Sequence, residues 1–264
     1  FSRMRLVFLP KVLHQSKSMI IDVWSDVVCP WCFIGRRRLQ KAIAHHGAGH
    51  NVTVRHRAFQ LQPDIKEIVS TSEHLAAKYR IDKAQVAQMQ ANVCSIADGE
   101  GLCYDLENTL SGNTADAHRL ILWAETIGKD DELLEALYSA YFEKSLPIFS
   151  HEDLLLIADQ VGIKREAALA LLQSDQFADR VKEDQALASQ LGANGVPFYV
   201  VDMKFGISGA QPQEVFDQNS GESLQRMFDL LFDEKTPLNI KAKLYGDVLN
   251  KAVKSGLSIE GEMA

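Results

Sequence analysis

Two periodicities divide this chain in a way that few topologies satisfy. Ile20-Ile21-Asp22-Val23-Trp24 reads as a buried strand. Ile34, Leu39, Ala42 and Ile43 then recur at helical spacing, and Asn51 to Phe59 alternates apolar and polar as a strand does. From Pro63 to about Ser174 the period is helical throughout. Capping boxes at Ser70-x-x-Glu73, Asp82-x-x-Gln85 and Ser150-x-x-Asp153 open helices there, another follows Asn113-Thr114, and Asp130-Asp131-Glu132 puts negative charge where a helix start favours it. After a helix over about 176–191, two strand-like runs, Gly195 to Asp202 and Phe205 to Gly209, form a hairpin turning at Met203-Lys204. Helical turns are expected at Gln213–Asn219 and Leu224–Phe232. The order is βαβ, a helical block, then αββα, so one sheet has to assemble from segments that a long insertion separates.

Between the first strand and the first helix stands Cys29-Pro30-Trp31-Cys32. There the unpaired amides and positive dipole end of a helix start favour a thiolate over a thiol. Two cysteines three apart share a helix face and are close enough for a reversible disulfide. Zinc knuckles and structural pairs also use C-x-x-C, but beside a βαβ pattern the motif reads as redox chemistry on a thioredoxin-like fold. A zinc site wants a second ligand pair at compatible spacing, and Cys94 and Cys103, with eight residues between them, match it poorly, so no metal is expected. Those two are either buried free thiols or a second redox pair folded together by Asp98-Gly99-Glu100-Gly101. Asp26, three residues before Cys29, is a turn or cap residue or else a proton acceptor for Cys32.

Composition narrows the function class. With 264 residues, 46% hydrophobic and 24% charged, the chain has enough core without disulfide staples. A net charge of −7 argues against nucleic acid and anionic membranes as partners, and Arg36-Arg37-Arg38, which wraps around a helix, reads as a solvated face. No stretch approaches the roughly 20 apolar residues of a membrane span. Residues 1–18 carry no convincing export signal and are expected as an extension outside the core, which makes the cytoplasm the expected compartment. Residues 236–264 are expected as a helical C-terminal extension over about Asn239 to Lys254. Its Leu244, Val248, Leu249 and Val253 stripe needs a partner within the chain or on a second subunit, so both a monomer and a homodimer fit.

Pro197 opens a strand after Gly195-Val196, where a proline lacking a ladder N–H needs a reason. In this order of elements a cis Val196–Pro197 bond fits, freeing the preceding backbone groups to pair with an extended substrate beside the thiols. A trans proline at a strand edge is the plain alternative.

These residues carry a family resemblance. The run from Ile21 through Cys29-Pro30-Trp31-Cys32 to Gly35 is similar to the signature of the FrnE-like branch of the DsbA-type thiol–disulfide oxidoreductases. Asn113 to Leu120, Gly195 to Phe198, and Gly206 to Pro212 are similar to that branch too, over about residues 19–235. The resemblance implies an α/β thioredoxin-like fold with an inserted all-helical domain. Its halves would be 19–62 and 176–235, with 63–175 between them. It also implies Cys29 as exposed nucleophile, Cys32 as resolving thiol and Pro197 as cis-proline, and it draws attention to His118 on an inserted helix as an active-site cover. The expected activity is exchange with protein or small-molecule disulfides and dithiols, Pro30 and Trp31 tuning the turn and shielding the sulfurs and Val196 and Pro197 docking substrate. No tightly bound cofactor is expected; glutathione is a co-substrate candidate. Kappa-class glutathione transferases and hydroxychromene-carboxylate isomerases share the architecture but carry a serine at the active position, where this chain has Cys29. Such glutathione chemistry is the alternative, and a non-catalytic binding or chaperone module is the third reading.

Overall fold

The computed structural model describes residues 18–46, 51–203 and 205–209. Residues 1–17, Lys204 at the hairpin turn, the helical turns expected at 213–219 and 224–232, and the extension 236–264 lie outside the described residues. Strand β1 (Ser18–Ser25), helix α1 (Pro30–His46) and strand β2 (Asn51–Ala58) come first. The chain returns to the same sheet with β5 (Phe198–Val201) and β6 (Phe205–Ser208), in the order β2-β1-β5-β6. β1 pairs parallel with β2, Ile21 opposite Val54, and antiparallel with β5, Trp24 opposite Phe198. A parallel pair needs a crossover, and α1 supplies it.

The central strands are buried on both faces, which is why they read as apolar runs rather than clean alternations. On one face Ile21, Tyr199, Val201 and Ile207 pack with Leu39 and Ala42 of α1. On the other, Trp24, Phe198 and Val200 join the large core of the intervening helices. Those helices are α2 (Thr71–Tyr79), α3 (Lys83–Gly99), α4 (Ala115–Glu125), α5 (Asp130–Glu143), α6 (His151–Gln160) and α7 (Arg165–Leu172). Helix α8 (Ala178–Gln190) then leads back to the sheet. Its Asp184 is buried, accepting from Arg57 Nη1 at 3.2 Å and Ala58 N at 3.0 Å, and its carbonyl takes Trp24 Nε1 at 2.7 Å.

Three sequence expectations need correction. The block expected as all-helical also holds a two-stranded ribbon, β3 (Val69–Ser70) with β4 (Leu110–Ser111). Pairing of Ser70 with Leu110 in that ribbon accompanies the second correction: the Ser70 side chain makes no cap bond. The boxes at Asp82/Gln85 and Ser150/Asp153 do form. Third, Arg36-Arg37-Arg38 is no solvated face. Arg36 reaches Asp131 at 2.7 Å and Glu135 at 3.0 Å, Arg37 pairs with Glu135, and Arg38 reaches Glu100 at 2.7 Å. The acidic partners stand on α5 and at the end of α3, so the triplet fastens α1 to the helices packed over it.

Candidate active site

β1 ends at Ser25, and the turn through Asp26, Val27 and Val28 closes when Cys29 N donates to the Asp26 carbonyl at 3.0 Å. Cys29 stands one residue before α1, and its carbonyl accepts from Cys32 N at 3.0 Å. Pro30 takes the first helical position, where its missing N–H costs nothing. Both cysteines are free thiols. Cys29, expected exposed, is only 4% exposed. Its Sγ lies 3.6 Å from the carbonyl oxygen of Val196, 167 residues away, and the Val196–Pro197 bond is cis. The junction and the segment opening β5 therefore form two walls of one site.

Glycine holds those walls together. A Cβ on Gly35 would lie 2.2 Å from Tyr199 Oη and 3.2 Å from Pro197 Cγ; one on Gly209 would lie 2.6 Å from Pro197 Cγ. Gly209 N also donates to the Pro197 carbonyl at 2.8 Å. On the other side of α1, Tyr104 Oη donates to the Pro30 carbonyl at 2.8 Å, and Phe33 stacks on Tyr138 with ring centroids 4.9 Å apart. Trp31 is half-buried against the same core.

Below the thiols lies a buried polar layer. Asp26 is fully buried; one carboxylate oxygen accepts from Leu61 N at 2.7 Å, and the other is 3.3 Å from His118 Nε2. His118, anticipated as a cover, is thus fully buried beneath the turn. Its ring stacks on that of His56, centroids 5.8 Å apart, and His56 Nδ1 meets Ser25 Oγ at 3.2 Å. Burial, followed by the charges of His118, Arg36 and Arg57, holds His56 well below its ordinary value. Burial is also the leading influence on Cys32, followed by the hydrogen bond and charge of Cys29, and together they push that thiol well above its ordinary value. For Cys32 the helix-start argument for a thiolate therefore fails, because desolvation disfavours the charged form more strongly.

Cys94, half-buried on α3, points its sulfur at the Tyr104 carbonyl at 3.7 Å, while Cys103 is exposed; both are free. Among the described residues no cluster of three or more His, Cys, Asp or Glu is arranged to hold a metal ion. Also among them, no helix is long and apolar enough to cross a membrane. Sequence reasoning passed over Tyr104, Tyr138 and His56. His56 alone left a trace, sharing the parity of Val52 and Val54 in an alternating strand.

The family model described as a DSBA-like thioredoxin domain matches residues 20–220. A probable DsbA oxidoreductase from Streptomyces coelicolor is 35% identical, with 83% of this chain and 92% of that one covered and a TM-score of 0.72. Two further structures are alike in fold alone. A putative protein disulfide isomerase from Nitrosomonas europaea is 18% identical, covering 80% of this chain and 98% of its own, with a TM-score of 0.58. The cytosolic disulfide reductase DsbM from Pseudomonas aeruginosa is 16% identical with the same coverages and a TM-score of 0.51, and its complex with GSH matches equally well.

Proposed function

The chain belongs to the DSBA-like thioredoxin domain family, and from that premise we propose that it is a thiol–disulfide oxidoreductase of the FrnE-like branch, working through Cys29 and Cys32. The observation that carries this reading is the facing of Cys29 Sγ and the Val196 carbonyl, 3.6 Å apart, with the second thiol one helical turn behind. Cys29, as thiolate, attacks a substrate disulfide. A Cys29–substrate bond forms, and the substrate's other sulfur leaves with the electron pair. Cys32 then attacks Cys29, forming the intramolecular disulfide and releasing the second substrate sulfur as thiolate; oxidation of a dithiol runs the steps backwards. The backbone around Val196 and Pro197 docks the substrate chain, and Pro30 and Trp31 shape the approach to the sulfurs. Protein disulfides and small disulfides are the substrates. Glutathione acts as the small co-substrate, a role supported by the GSH complex of the fold-related DsbM, and the cytoplasm is the workplace.

The test is turbidimetric reduction of insulin by dithiothreitol, repeated with glutathione. The protein is expected to accelerate precipitation, Cys29→Ser to abolish the effect, and Cys32→Ser to accumulate a mixed disulfide on Cys29 detectable by mass. Absence of exchange with insulin, glutathione disulfide and aryl disulfides alike would sink the reading.

A further inference from the structure

A cavity of ≈ 40 Å³ opens between β1 and β2 on one side and α1 and α5 on the other. Val54 and Asp131, both exposed, stand at its mouth, and Cys32, Ser25, His56 and Tyr138, all buried, line its inner end. Neither Cys29, Val196 nor Pro197 lines it, so it approaches the second thiol from outside the substrate wall. Of the inner polar atoms, His56 Nε2 is buried without a hydrogen-bond partner among the described residues, and the buried Tyr138 hydroxyl has Ser25 as its hydrogen-bonding neighbour. A water needs roughly 10–15 Å³ of such space and two or more polar partners, so this cavity has room for about three.

We propose that the cavity is the proton port of Cys32, in which water held by His56 and Tyr138 takes the thiol proton and passes it to solvent beside Asp131. This rests on the exchange reaction proposed above. In the resolving step the Cys32 S–H bond breaks, and its electron pair forms the Cys32–Cys29 bond as the Cys29–substrate bond breaks. The freed proton moves to cavity water, and the departing substrate thiolate takes its own proton from bulk solvent. The step needs such a port because Cys32 is a thiol held against ionisation by burial. The other acceptor within reach, Asp26, has its two oxygens already engaged by Leu61 N and His118.

The groups facing His56 suit a carrier. Ser25 on β1 engages Nδ1, and Nε2 is left without a hydrogen-bond partner among the described residues. His118 on α4 stacks on the ring, Cys32 and Arg36 on α1 and Asp130, Asp131 and Tyr138 on α5 line the same cavity, and Arg57 follows His56 on its own strand. The surrounding cations and burial keep the imidazole neutral and its hold on a proton weak, so it relays rather than stores.

Stopped-flow reaction of the reduced protein with an aryl disulfide separates the steps. Attack by Cys29 releases one aryl thiolate, and resolution by Cys32 releases the second. Tyr138→Phe and His56→Gln are expected to slow the second release at least tenfold, leave the first within twofold, and make the second rate climb about tenfold per pH unit as hydroxide replaces the relay. Leu134→Phe, narrowing the cavity without touching either polar group, is expected to do the same. The proposal is overturned if the second release keeps its rate and pH profile in Tyr138→Phe and His56→Gln, or if Asp26→Asn alone slows it. Should His56→Gln fail to fold, the isosteric Tyr138→Phe decides. Absence of the first release in the wild-type protein would instead overturn the exchange reaction itself.

Discussion

His118 Nε2 lies 3.3 Å from Asp26 Oδ1, and neither side chain meets solvent. The contact joins α4 of the inserted block to the turn carrying Cys29, while the other Asp26 oxygen holds Leu61 N at 2.7 Å. Asp26→Ala leaves both groups without their acceptor. At about 1–3 kcal/mol for each group left unpaired, with the Leu61 amide only part-buried and so towards the low end, the variant is expected to lose about 2–4 kcal/mol in urea unfolding of the reduced protein. Asp26→Asn keeps an oxygen for Leu61 and is expected to lose less than half of that. Equal losses in the two variants would show that charge, not the hydrogen bonds, holds the turn.

Gly35 and Gly209 press on Pro197 from two sides. A methyl group on Gly35 meets the rigid end of Tyr199, which is fully buried and has no room to retreat. Overpacking of this kind costs about 1–3 kcal/mol and shifts backbone. Gly35→Ala is expected to lower the unfolding midpoint and the insulin-reduction rate together, because the shift moves the wall facing Cys29. Gly99→Ala, where a Cβ meets nothing within 4 Å, is the control and is expected to retain full rate. Normal exchange by Gly35→Ala would mean that the spacing of the two walls is not critical.

What could be read from the chain was what is local. The strand-to-helix junction at Cys29 and the proline opening a strand after Val196 each carry their chemistry within a few residues, and the αββ return told which segments meet. Errors fell where a distant residue decides. The arginine triplet looked solvated because Glu100, Asp131 and Glu135 lie roughly 60–100 positions away, and nothing near Arg38 announces them. Ser70 had a capping sequence but sits in a ribbon with Leu110. Nothing local singles out Tyr104 or Tyr138; only the packing of the helical block over α1 puts one hydroxyl on the Pro30 carbonyl and the other beside the cavity at Cys32.

Arg38 and Glu100 test that docking. Their charged ends meet at 2.7 Å with side chains 9% and 14% exposed, and Lys41 Nζ reaches the other Glu100 oxygen at 2.6 Å. Arg38→Met is expected to cost about 1–3 kcal/mol, below the roughly 3–5 kcal/mol of breaking a fully buried pair, because Lys41 still neutralises the carboxylate. The Arg38→Met/Glu100→Gln double variant is expected to cost less than the sum of the singles. Burial alone would raise the Glu100 carboxyl, but the hydrogen bonds of Lys41 and Arg38 outweigh it and lower the value from 4.5. The carboxylate's contribution is therefore present above about pH 4.5 and lost as pH falls through the lower folded value. Additive losses, or a pH-independent difference between wild type and Glu100→Gln across that window, would contradict the coupling.

The raised Cys32 thiol yields the sharpest pH signature. Its neutral form is favoured in the fold, so the native state holds a proton that the unfolded chain releases near the ordinary value of 9.0. Stability from this group is complete below pH 9.0 and is lost as pH rises through the folded value, with a slope of up to about 1.4 kcal/mol per unit. Reduced wild-type protein is thus expected to weaken above pH 9.0, and Cys32→Ala to weaken less. The same displacement is visible directly. In Cys29→Ser the partner's thiolate charge is gone, but burial remains the leading influence, so thiolate absorbance from Cys32 is expected only above pH 9.0. Its alkylation by iodoacetamide under native conditions is expected to stay slow up to that pH. A Cys32 titration at or below the ordinary value would mean that the thiol ionises freely without a relay, and the case for a dedicated proton route to it would fall as well.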